Sequence, residues 1–247
     1  MSQVYVYAFV CVLLAGIVRG FSGFAFAALV VISVSFVMPP VTVVPAVLIL
    51  EVIAGLHLLP SIWRSVHWQS ISIIVAAAVL ATPFGVYVLA NVPAEPMKLG
   101  LAVITFAAAA ILLTGYQLKR MPRPAETAAT GVAAGLLNGA FGIGGPPIII
   151  FFLGSPLALE AGRASIVASF LAMDIAGLIA LFAFGMYDRE SLTFTVIALP
   201  ALVVGVYIGS RLVGKLDEGM ARKGVIAILM LLSVMMGYSS LLSIWGR

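Results

Sequence analysis

The stretch Asn138–Pro147 reads NGAFGIGGPP and is flanked by GVAAGLL before it and IIIFFL after it. Gly costs backbone entropy in a helix, and Pro lacks an N–H and clashes with the preceding turn, so a helix entering this stretch ends there. The flanking residues carry no charge, so the interruption falls inside one hydrophobic run. In hydrocarbon a freed backbone group finds no water, and such a break must be buried in protein or line a cavity.

The rest of the chain places that break in a membrane. Its 247 residues are 63% hydrophobic and 9% charged, with a mean hydropathy of +1.23. A soluble domain carries about 25% charged residues, so this chain cannot cover a water-facing surface. The apolar runs are long and do not alternate, which selects helices over a barrel. The net charge of +4 sits between the runs and speaks to membrane orientation, not to nucleic-acid binding. Cys11 is the single cysteine and rules out an internal disulfide. No basic n-region or A-x-A site precedes the first run, so a cleaved signal peptide is not expected. No metal-ligand cluster, catalytic triad or strand-borne phosphate loop is visible, which argues against an enzyme and against a bound metal or cofactor. His57 and His67 fall near a loop, and Trp63, Trp68 and Trp245 at run ends read as interfacial anchors.

Eight hydrophobic segments follow, at 4–38, 41–60, 69–91, 98–118, 126–154, 164–186, 191–213 and 223–245. The first is too long for one span of about 20 residues and is interrupted by RGFSGF; the fifth is broken by NGAFGIGGPP. The two halves echo each other. AGIVRGFSGF at 15–24 lies over AGLLNGAFGI at 134–143, GVY at 85–87 over GVY at 205–207, and GYQL at 115–118 over GYSS at 237–240. The order and near-constant offset predict a duplication: repeat one over 1–118, a linker over 119–125 and repeat two over 126–247.

Loop charges bear on topology through the cytoplasmic excess of Lys and Arg. If every segment crosses once, Arg64, Lys119, Arg120, Arg123, Arg189 and Arg247 face Lys98, Arg163, Arg211, Lys215, Arg222 and Lys223, with no bias. If segments one and five are re-entrant hairpins, the cytoplasmic set becomes Arg64, Lys119, Arg120, Arg123, Arg163, Arg211, Lys215, Arg222 and Lys223. Only Lys98, Arg189 and Arg247 then stay outside. The biased arrangement predicts an all-α polytopic membrane protein. It has two inverted repeats, each a broken hairpin plus three transmembrane helices, with both termini on the outer side.

A broken hairpin turns the N-terminus of its second half-helix toward mid-membrane, where its partial positive charge and free N–H groups suit an anion. Those starts are expected at Ser22–Gly23–Phe24 and at Gly144–Gly145–Pro146, and two such ends meeting would form a small donor-rich pocket. Arg19 sits just before the first break; an intramembrane charge costs at least about 2.5 kcal/mol and marks function or a structural pair with Glu51 or Asp174. Its donor fork suits a carboxylate, sulfonate or phosphate. Asn138 holds the matching place in repeat two, either donating to an anion or capping the broken helix. Glu51 and Asp174 are the only acids of their spans, either carrying a coupled proton or permanently partnering a cation or freed N–H groups. Tyr87 and Tyr207 are symmetric hydroxyls for packing or a gate. Arg163, at a cytoplasmic helix start, meets either substrate or a lipid headgroup.

AGLLNGAFGIGGPPIIIFFL, with RGFSGF and the four-plus-four layout, resembles the sulfite exporter TauE/SafE family, also called the 4-toluene sulfonate uptake permease family. Gly139–Pro146, G-x-x-G-x-G-G-P inside a membrane run, is its most specific part; RASIVASFLAMD at 163–174 is similar more loosely to the family's sixth segment. The resemblance implies a bacterial inner-membrane carrier of sulfite, an organosulfonate such as sulfoacetate, or another small sulfur-containing anion. It agrees with an oxyanion held by Arg19, Gly20, Ser22, Gly23, Asn138, Gly139, Gly142, Gly144, Gly145 and Pro146. RGFSGFAFA lacks the double Gly-Pro, so the expected pocket is lopsided. Transport by alternating access, with proton coupling at Glu51 or Asp174, is the leading expectation; an anion channel or a permease for another organic anion is the alternative. The expected partners are the lipid bilayer and the substrate, with a homo-oligomer left open.

Overall fold

A computed structural model describes residues 2–22, 25–114, 120–212 and 218–245. Gly23, Lys119, Lys215, Arg247 and the GYQL stretch lie outside the described residues, as do the side chains of Ser22, His57 and Arg222. Among the described residues the fold is all-helical, with ten α-helices and no strand. In hydrocarbon only a helix satisfies every backbone group within its own segment, which is why the apolar runs take this form. They are α1 (Ser2–Ser22), α2 (Phe26–Val34), α3 (Pro40–Ile62), α4 (Trp68–Asn91), α5 (Ala94–Thr114), α6 (Pro124–Phe141), α7 (Gly145–Gly154), α8 (Leu159–Ala183), α9 (Arg189–Leu212) and α10 (Glu218–Trp245). Six of them, α1, α4, α5, α8, α9 and α10, hold stretches long and apolar enough to cross a membrane.

Two compact units emerge from the packing. The first comprises Met1–Val47, Val92–Thr114 and Tyr187–Arg247, and the second Leu48–Asn91 and Gly115–Met186. In the first unit α1 lies along α9, α5 along α10, and α2 packs on α1, α5 and α10. A Cβ on Gly16 would meet Leu202 O at 3.2 Å, and one on Gly20 would run into Val206 O and sit 2.9 Å from Ser210 N. Contacts that advance together along both chains mean that the two helices run the same way. Tyr7 OH donates to Ser33 O at 3.1 Å, joining α1 to α2. Phe26, Ile32, Leu101, Phe194 and Met236 fill this unit's core.

In the second unit α6 lies along α4 in the same manner. A Cβ on Gly131 would run into Ile74 O, one on Gly135 into Ala78 O, and one on Gly139 into Thr82 O. Small residues at such seams let helix backbones approach closely where no hydrophobic drive separates helix from lipid. The turn between α3 and α4 is tied to the start of α8: Ser65 Oγ donates to Glu160 Oε1 at 2.8 Å and His67 N–H to Ser165 Oγ at 2.9 Å.

Helix ends follow local chemistry. Arg120 grips Glu126 at 2.6 Å, and Glu126 accepts the Arg123 N–H at 2.7 Å, opening α6. The Arg120 hydrogen bond, then the Arg123 N–H, hold the Glu126 carboxyl down from 4.5 to about 2. At the far end of α8, Met186 N–H reaches Leu181 O and Gly185 N–H reaches Phe182 O, each at 3.0 Å, with Gly185 at φ 67°. That is a Schellman ending, in which glycine takes the left-handed position without a Cβ penalty.

The first long apolar run divides unequally. The sequence predicts a hairpin over 4–38, whereas α1 alone runs 21 residues and α2 nine. RGFSGF holds no proline, so nothing forces α1 to stop before Ser22. A 21-residue helix is about 31 Å long, enough to cross the hydrocarbon core by itself.

Candidate functional site

The break between α6 and α7 is buried in the second unit. α6 stops at Phe141 because Gly142 adopts φ 65°, ψ 18° and its N–H returns to Asn138 O at 2.8 Å. This left-handed cap uses up one orphan carbonyl of the last turn. Gly144 caps α7, with Gly145, Pro146 and Pro147 next. The first four N–H groups of a helix have no intrahelical acceptor. Here those positions are Gly144, Gly145, Pro146 and Pro147, and the two prolines have no N–H. Gly144 N–H turns to Asn138 Oδ1 at 3.4 Å. Among the described residues no acceptor meets Gly145 N–H, which sits at a partly exposed position. The donor-rich helix start expected from sequence is thus narrowed to one open N–H plus the helix dipole.

Asn138 is 1% exposed and spans the break. Its carbonyl oxygen faces Gly144 N–H, while its Nδ2 donates to Met173 O on α8 at 3.1 Å. Of the two roles open in sequence, these bonds display the tie across the broken helix. A Cβ on Gly144 would sit 2.9 Å from Ala134 O and from Asn138 Cβ and would collide with Met173 Cε; one on Gly145 would lie 3.1 Å from Phe170 Cζ. Phe170, Met173 and Gly177 therefore face the break. Their spacing of three and four residues puts Asp174 on the same face of α8.

Asp174 and Glu51 are each 5% exposed. A Cβ on Gly55 would sit 3.2 Å from Leu171 Cδ1, and one on Gly177 2.7 Å from Leu48 Cδ1. These contacts run in opposite directions along α3 and α8, which puts Glu51 and Asp174 at one level. Ser169 on α8 is fully buried, and its hydroxyl has no partner among the described residues. In sequence neither Ser169 nor Met173 stands out from the apolar run.

Gly139 presses its Cα against α4, as Gly20 in the first unit does against α9. Pro146 lies at the partly exposed start of α7. Arg163 is exposed at the start of α8. Tyr87 and Tyr207 are each 59% exposed on outward helix faces, and Arg211 donates to Tyr207 OH at 2.7 Å. Arg19, in the first unit, is 8% exposed with its guanidinium carbon 5.7 Å from the Phe26 ring centroid. Ala25, which opens α2, holds φ 71° without being glycine, a conformation costing about 1–2 kcal/mol that its surroundings must sustain. Gly23 and the Ser22 side chain lie outside the described residues.

Long apolar helices, with a buried glycine cap between α6 and α7, define a multi-pass helical membrane protein. The model of the sulfite exporter TauE/SafE family matches residues 8–236, and the chain belongs to that family. It is therefore a membrane transporter of the sulfite and sulfonate exporter type. Comparison with curated proteins returns no match, and comparison with solved structures returns none either.

Proposed function

We propose that this protein exports a small sulfur-containing oxyanion, sulfite or an organosulfonate such as sulfoacetate, across the bacterial inner membrane by alternating access. The observation that carries the reading is the buried α6–α7 break, whose Gly145 N–H and helix dipole point at a site for negative charge. Gly142, Gly144 and Pro146 shape that backbone, and Asn138 and Gly139 hold it in place. In the first unit, Arg19 supplies a charged donor fork at the α1–α2 break, with Gly20, Ser22 and Gly23 forming its turn. Glu51 or Asp174 couples proton movement to transport, each being the only acid of its hydrophobic segment. Arg163, Tyr87 and Tyr207 act as gate residues. Both termini face the periplasm, and the two halves are inverted repeats, a layout supported by the loop-charge bias and the matched glycine stretches.

A thermal-shift panel of sulfite, sulfate, thiosulfate, taurine, isethionate and sulfoacetate on purified protein identifies the anion. Arg19→Ala is expected to abolish binding of the best of these while the protein stays folded. Unchanged affinity removes Arg19 from the site. In proteoliposomes, saturable exchange of the same anion supports a carrier, and single-channel currents would overturn it.

A further inference from the structure

We infer that Asn138 is a positioning residue that ties the α6–α7 break to the Asp174 turn of α8, so that the two change state together. The inference rests on reading the break as the anion site and Asp174 as a coupling carboxylate. Its amide is engaged at both ends: Gly144 N–H meets Oδ1 at 3.4 Å, and Nδ2 donates to Met173 O at 3.1 Å. Met173 O is the carbonyl that α8 presents to Gly177 N–H, four residues on. Gly177 has no side chain, and a Cβ there would lie 3.3 Å from Asn138 Nδ2, so the bare backbone leaves the amide room. A second strut runs the other way, since Met173 Cε occupies the space beside Gly144. One residue, Met173, thus holds the break through its carbonyl and its thioether end, and Asp174 is the next residue along.

The groups around Asp174 set how a change of charge is felt. Glu51 lies on α3 at the same level. α4 carries no Asp, Glu, Lys or Arg between Trp68 and Asn91. Asn138, Gly144 and Gly145 bring no charge from α6 and α7. Arg163 lies three turns away along α8, about 16 Å. Gaining or losing a proton at Asp174 changes which donors that turn must satisfy. A shift of the turn moves Met173 O, and the Asn138 amide carries the shift to Gly144 N–H.

The test needs no substrate. Hydrogen–deuterium exchange is followed at the Gly144 and Gly145 amides in four proteins: native, Asp174→Asn, Asn138→Ala and the double variant. Asp174→Asn mimics the protonated acid and is expected to change exchange at those amides about threefold or more in the native background, and to leave it unchanged in the Asn138→Ala background. An equal change in both backgrounds overturns the link, and so does no change in the native one. If Asn138→Ala fails to fold, Asn138→Ser takes its place, because a hydroxyl can accept from Gly144 but is too short to reach Met173 as well. Failure to bind sulfite or sulfoacetate sinks the substrate reading and leaves the exchange result standing.

Discussion

Asn138 and Gly142 show what single residues do at the break. Gly142 sits at φ 65°, where an L side chain costs about 1–2 kcal/mol, so Gly142→Ala should lower the thermal midpoint of purified protein. Gly185 has the same conformation at φ 67° with nothing within 4 Å of a Cβ. Gly185→Ala should therefore lower stability comparably while leaving anion affinity unchanged. A loss of affinity confined to Gly142→Ala separates the backbone of the site from backbone strain in general. Asn138 was legible as a polar residue beside a break, but not its bonds. Met173 lies 35 residues away, and no local pattern announces which carbonyl crosses over.

At the scale of helices, glycine sets who packs on whom. Gly16 and Gly20, Gly205 and Gly209, and Gly131, Gly135 and Gly139 each recur every four residues, the small-xxx-small signature of close helix contact. That spacing is on display in the sequence, with Gly20 and Gly139 just ahead of the two breaks. The partner helix could not be read, since Gly16 meets Gly205, 189 residues on, and Gly135 meets Ala78, 57 residues back. Gly209→Ala would drive a Cβ into Ile17 O and bring it 2.9 Å from Ile17 C, both backbone, so the helices must part. The expected loss is about 1–3 kcal/mol, seen as a lower thermal midpoint. Gly224→Ala, with nothing within 4 Å, should instead gain up to about 1 kcal/mol from helix propensity. Equal effects at the two sites would deny α1 and α9 their close seam.

For the molecule as a whole, membrane residence was legible at once, because 9% charged residues cannot clothe a soluble surface. The interruption of the first run at RGFSGF was legible too, and α1 ends at Ser22 inside it. Orientation is the test that belongs here. In a Cys11→Ala background, single cysteines near Arg163 and near Lys223 should react with an impermeant thiol reagent only from the cytoplasmic side. Labelling of both from the periplasm would restore eight simple crossings. Pro146 and Pro147 carry a consequence for any such cycle. Their rings would clash with the carbonyls of Gly142 and Ile143 in a continuous helix, and neither can give the hydrogen bond that joining α6 to α7 requires. A single proline is carried inside α4 at Pro83 and inside α9 at Pro200, whereas here two in a row follow the left-handed Gly142, and joining the helices would cost both the turn and two hydrogen bonds. The transport cycle proposed above is expected to keep α6 and α7 as two helices that meet at Gly142–Gly144.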